Sequence, residues 1–169
     1  MAKRLGVPAL RRGEKAWLLA ALASLIVGPC PALAQGTVSV LPVQGLRFGV
    51  LSSGIPTVIS PLDGSRRATI ELVGAGQVSV SFELPPALRA GSDAALPLRF
   101  GPADGRVTFP GSGRVLVFDP SRPVSFTIPP GSGGATVYLG ASAEPGTRQP
   151  PGAYTGGITV TVVVANPAT

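Results

Sequence analysis

Between residues 77 and 83 the chain alternates without a fault. Val78, Val80 and Phe82 fall on one side of an extended backbone, and Gln77, Ser79, Ser81 and Glu83 fall on the other. Side chains on a strand switch faces at every residue, so this pattern specifies a sheet with one apolar and one wet face, and helical spacing does not fit it. The preceding run, 68–73, sets Ile70 and Leu72 against Thr69 and Glu71. Gly74-Ala75-Gly76 between the two runs predicts a hairpin, because glycine reaches the positive φ that short loops need. The same reading predicts strands at 38–43, 46–51, 57–60, 96–100, 106–109, 114–118, 124–128 and 135–141. A long final strand is expected over 154–164, with Ile158, Val160, Val162 and Val164 on one face. No segment after residue 34 has a helical stripe; 87–96 holds at most one helical turn.

The breakers agree with this map. Pro85-Pro86, Pro110-Gly111-Ser112-Gly113, Asp119-Pro120, the 129–134 run and Pro150-Pro151-Gly152 all fall between the expected strands. There a missing amide donor or a positive φ does no harm. The chain has 23 Gly and 19 Pro among 169 residues, a level that signals disorder when the two are spread without order. Here they sit where turns belong. Pro-Gly-Ser-Gly occurs twice, which we read as one turn chemistry used twice. Many short strands with regular turn signals predict an all-β protein, an immunoglobulin-like Greek-key β-sandwich.

Residues 1–34 read differently, as a cleavable signal peptide. Lys3, Arg4, Arg11, Arg12 and Lys15 form a positive leader, 16–28 is an uncharged apolar stretch, and Ala32-Leu33-Ala34 is a small-x-small cleavage site. Cleavage is expected between Ala34 and Gln35. A membrane span needs about 20 apolar residues, and this stretch is shorter. Cys30 follows Pro29, which fits lipidation poorly, and Gly13-Glu14-Lys15 does not complete a twin-arginine pattern. The expected organisation is therefore 1–34 signal peptide and 35–169 one β-sandwich domain, exported to the periplasm, cell surface or medium.

Removing the leader changes what the composition means. Of 14 Lys and Arg and eight Asp and Glu, the leader takes five cations and Glu14. The remaining cations are all Arg, dispersed apart from Arg66-Arg67, with no basic stripe and no interleaved aromatics. Nucleic acid is not an expected partner. The chain has no His, and 35–169 has neither Cys nor Lys. That excludes Ser-His, Cys-His and Ser-Lys nucleophiles, Schiff-base lysines and imidazole or thiolate metal sites from the domain. Glu71 and Glu83 could make a carboxylate pair, but their alternation puts both on a wet face. Asp63-Gly64 and Asp104-Gly105 read as turns. No catalytic residue, metal ligand or cofactor is expected.

Two segments remain: Leu46-Arg47-Phe48-Gly49-Val50, and a closing run from Pro151 and Gly152 through Tyr154, Gly156 and Gly157 into Ile158-Thr159-Val160-Thr161-Val162. Together they resemble an exported bacterial family known as domain of unknown function 4402, and more distantly spore coat protein U-type and chaperone–usher pilin domains. The motif residues are Phe48, Gly49, Gly152, Tyr154 and Gly156. The resemblance implies an immunoglobulin-like fold and a non-enzymatic structural or adhesive role at the cell surface. Partners are then copies of the chain or other surface subunits, joined by strand addition, with membrane contact only during export. A candidate donor strand lies in 36–44, with Val38 and Val40 on one face and Leu41 and Val43 on the other. The same segment reads more simply as the domain's own first strand, since Pro42 interrupts a ladder in either role and the sequence shows no missing strand. The alternative function is a secreted or periplasmic module for a glycan or other envelope ligand. Its aromatic platform would have to come from few residues, the only Tyr being Tyr138 and Tyr154.

Overall fold

A computed structural model describes residues 37–165. The signal-cleavage residues Ala32, Ala34 and Gln35, with the whole of 1–34, lie outside the described residues. Twelve strands and no helix are found among the described residues: β1 (Ser39–Gln44), β2 (Thr57–Ile59), β3 (Ala68–Val73), β4 (Gly76–Glu83), β5 (Ala87–Ala90), β6 (Ala94–Arg99), β7 (Gly105–Thr108), β8 (Val115–Phe118), β9 (Val124–Ile128), β10 (Ala135–Leu139), β11 (Ala141–Ala143) and β12 (Thr159–Ala165). They form three antiparallel sheets, ordered β1-β3-β10-β7-β8, β2-β11-β6-β5 and β12-β4-β9. The chain is the β-sandwich that its alternation predicts.

The five-stranded and three-stranded sheets face each other over the main core. Ile70, Leu72, Val107, Val137 and Leu139 come from one side, and Val78, Val80, Phe126 and Ile128 from the other. Phe109 meets Phe126 edge-on at 5.6 Å, and Phe82 stacks on Phe118 at 5.9 Å. Each fully buried Val, Leu or Ile here contributes roughly 1.5–3 kcal/mol relative to exposure. Among the described residues no polar or charged residue is buried, so packing and strand ladders carry the fold. A second, smaller cluster of Phe48, Ile59, Leu96, Leu98, Ala141 and Ala143 lies on the four-stranded sheet.

Gly140 alone separates β10 from β11, so the predicted 135–141 strand divides between two sheets. A Cβ at Gly140 would collide with the Ile59 carbonyl oxygen and the Pro61 ring; only glycine permits that approach. The hairpin expected at 74–76 does not form. β3 pairs with β1 and β10, and β4 with β12 and β9. Gly74 and Gly76, at φ 137° and 128°, turn the chain from one sheet into the other.

Three further expectations are corrected. Residues 46–51 form no strand. They keep the in-out alternation, with Phe48 buried and Arg47 exposed, and Arg47 N–H donates to the Arg66 carbonyl at 2.8 Å, but they join no strand ladder. Residues 87–96 hold no helical turn; β5 and β6 pair through Leu88↔Leu96 and Arg89↔Ala95 around a turn at Gly91. The closing strand begins at Thr159, five residues later than expected.

Candidate functional site

β12 is bound on one side and bare on the other. Its residues pair with β4 from Thr159↔Glu83 to Ala165↔Gln77, and among the described residues its other edge has no strand partner. Along it Val160, Val162 and Val164 face the core, yet all three are only half-buried, as is Ile158 before them. Core-facing Val and Ile left half-wet mark where the apolar core reaches the surface among the described residues.

β1 is the outermost strand of the five-stranded sheet, and its end lines one cavity with the start of β12. It pairs with β3 through Ser39↔Val73, Val40↔Leu72, Leu41↔Glu71 and Pro42↔Ile70, and its register shifts between Pro42 and Gln44. Its apolar side chains are poorly covered: Val40, Leu41 and Val43 are 38%, 48% and 57% exposed. Of the candidate donor residues, Val38 and Val40 face the core, Val38 is half-buried against it, Leu41 shares the outer face with Glu71, and Val43 borders the cavity described next.

Between the end of β1 and the start of β12 lies a cavity of about 1130 Å³, lined by residues 42–51, Pro145 and residues 149–156 together with Leu88, Leu96, Leu98, Ile158 and Val160. Arg47 is the one charged residue in that lining. All five motif residues, Phe48, Gly49, Gly152, Tyr154 and Gly156, border it, so the two segments that are far apart in sequence converge here. Phe48 is 8% exposed and belongs to the smaller core. Gly49 and Gly152 have φ of 74° and 157°. Gly156 lies so close to the end of the Leu88 side chain that a Cβ there would displace it.

The 145–157 loop over this cavity is clamped. Gln149 Nε2 donates to the Tyr154 hydroxyl at 2.7 Å and to the Ala95 carbonyl at 3.0 Å, and the Tyr154 hydroxyl donates to the Pro150 carbonyl at 2.7 Å. Arg89 and Thr155 exchange two backbone hydrogen bonds at 2.8 and 2.9 Å. Gln149, Leu88, Leu96 and Leu98 were not legible as site residues. Gln149 reads as one more polar loop residue, and the sequence pattern places the leucines in a helical turn or in a strand's core face alone.

The carboxylates stand apart from the cavity. Glu71 and Glu83 are exposed on different sheets, and among the described residues no three His, Cys, Asp or Glu side chains converge. Asp63 and Asp119 instead lock turns of the same form, Asp-x-Ser-Arg. Each accepts a hydrogen bond from the serine hydroxyl two residues on, at 2.8 and 2.6 Å, and each faces an arginine guanidinium. The bonds from Ser65 and Arg66 hold Asp63 below the ordinary carboxylate pKa, and those from Ser121 do the same for Asp119.

The geometry defines a class: a β-sandwich with one flank open between two strand edges and an apolar cavity at one end of the opening. No protein-family model matches the chain, and no curated protein matches it.

Proposed function

We propose that the protein is an exported, non-enzymatic structural or adhesive subunit of the cell surface, joined to a neighbouring chain by a strand added to its open flank. The observation that carries this reading is the free edge of β12 lying beside half-buried core valines. A strand edge of seven residues without charge, Pro or bulge is a template for pairing, and soluble proteins ordinarily blunt such edges. The leader in 1–34 and the likeness of the motif segments to domain of unknown function 4402 support the same reading. A glycan module finds less support. The Tyr154 hydroxyl is engaged within its own loop, and the Tyr138 ring is covered by the Arg67 guanidinium at 3.6 Å.

The test is made in the cells that produce the protein. A photoreactive residue at Val163, on the free edge strand, is expected to yield a covalent adduct with a second chain in the envelope fraction, and the same residue at exposed Val58 is not. Adduct-free protein from both positions removes strand addition. Retention of the chain in the cytoplasm removes export.

A further inference from the structure

We infer that a second copy of this chain docks at the other edge of the five-stranded sheet, on β8, and that the two β8 strands pair antiparallel about a two-fold axis through Leu116. The contact is separate from the β12 flank and holds whatever occupies that flank.

β8 ends its sheet and pairs only with β7 among the described residues. Apart from β12, the other strands at sheet ends are guarded. β1 carries Pro42, β2 is three residues long between Pro56 and Pro61, β5 is bridged to Thr155 through Arg89, and β9 lies between Pro123 and Pro129. Val115-Leu116-Val117-Phe118 has neither Pro nor charge, the usual means of blunting an edge. It is apolar on both faces. Val115 and Val117 are 43% and 53% exposed on the outer one, and Leu116 is half-buried against the core on the inner.

One hydrogen bond fixes which backbone groups are free. Phe109 N–H donates to the Arg114 carbonyl at 3.3 Å, so Arg114, Leu116 and Phe118 address β7, and Val115 and Val117 turn their donors and acceptors outward, as alternate residues of an antiparallel strand do. A second β8 satisfies all of these groups when Val115 of one copy lies opposite Val117 of the other. Leu116 then meets its counterpart across the axis, and two Val115–Val117 pairs cover each other on the outer face. Other registers serve the edge less well. Sliding by two residues sets Val115 against Asp119, whose carbonyl already accepts from Arg122 N–H at 3.1 Å, or sets Val117 against Gly113, at φ 63°.

Charge selects the same direction. Arg114 and Asp119 stand at the two ends of β8; antiparallel pairing brings each beside its opposite, and parallel pairing sets like charges side by side. The occupant is a second copy because the complementarity is that of the strand with itself, and an isologous contact closes as a pair. Four residues a side fall well short of the roughly 800 Å² that a standard interface buries per partner. The pair therefore forms where the local concentration of the chain is high.

Cysteine variants of the full chain, with Cys30→Ser removing its one cysteine, test the register. Val115→Cys and Val117→Cys, mixed under mild oxidant, should cross-link to each other roughly tenfold faster than either does to itself, because directly opposed Cα atoms come within disulfide reach and those two residues away do not. Val58→Cys, exposed on β2, sets the rate of random collision. A mixture that couples no faster than Val58→Cys overturns docking at β8, and faster self-coupling of Val117→Cys overturns the register. Val117→Pro deletes an outward amide and spares the β7 ladder. It should unfold near the wild-type midpoint and weaken self-association in concentrated solution, measured by sedimentation, by roughly tenfold, the loss of an edge donor being the only change. Self-association equal to wild type, or loss of the fold, overturns the assignment of that amide to a second copy.

Discussion

Gly140 shows how much of this architecture hangs on a single missing side chain. It sits where the strand formed by β10 and β11 passes from one sheet to another, and a methyl group there has only the Ile59 carbonyl and the Pro61 ring to occupy. Gly140→Ala must part β2 from β11, whose register pairs Ala141 with Ile59. The expected loss is about 3 kcal/mol, at the upper end for overpacking in a rigid environment, read from urea unfolding. A midpoint within experimental error of wild type would mean that β2 yields freely. Asp63 and Asp119 act at the same scale through charge. Both are held below the ordinary value of 3.8, first by the side-chain hydrogen bonds from Ser65 and Ser121. A carboxylate whose folded pKa lies below its unfolded one contributes stability above the unfolded value and loses it as the pH falls through the folded one. Stability should therefore decline below about pH 5, as such carboxylates protonate. The double variant Asp63→Asn with Asp119→Asn should show a shallower decline over that window; equal slopes would remove these turns as a source of acid sensitivity.

Among the elements, β9 was legible to the residue. Val124–Ile128 alternates and is bounded by Pro123 and Pro129. β4 was legible for the same reason, yet its partners were not. Alternation tells which face is buried and nothing about which neighbour takes the edge, so a hairpin was expected where the chain changes sheets. β5 failed on composition: Ala87-Leu88-Arg89-Ala90 consists of helix formers with little strand preference, and its pairing with β6 overrides them. Motif residues Phe48 and Tyr154 were legible as notable, but the cavity that unites them arises only from topology, as does the open edge of β12. That edge makes a sharp prediction. Val162 faces the core beside the open flank and is half-buried, so the ammonium of Val162→Lys can reach water through the opening while its stem stays on the core. The empty protein should lose no more than about 1 kcal/mol. Any strand added beside it would seal the charge away from water without a partner, which is severely unfavourable. Val162→Lys should thus unfold near the wild-type midpoint while losing at least tenfold in affinity for an eight-residue strand peptide of alternating Thr and Val. Equal loss in both measurements would show general damage to β12 instead.

On the proposed function, the open flank couples folding to partnership at the scale of the whole molecule. A sandwich that leaves Ile158, Val160, Val162 and Val164 half-wet lacks part of the apolar burial that stabilises a closed one, and the 35–169 segment has no cysteine with which to offset that through a disulfide. The deficit is recoverable on binding, because a strand laid between β1 and β12 covers these side chains, satisfies two rows of backbone groups and joins the five-stranded sheet to the three-stranded one. A ligand that binds only the folded state raises its stability with the logarithm of concentration, by about 2.7 kcal/mol at a hundredfold excess over Kd. For a domain of this size that corresponds to a rise in Tm of roughly 8 °C. The rise should grow steadily as the strand peptide is added, and Val162→Lys should abolish it. A peptide that binds yet leaves Tm fixed at every concentration would have to sit on both folded and unfolded chains, and the flank would then be no part of what holds the sandwich together.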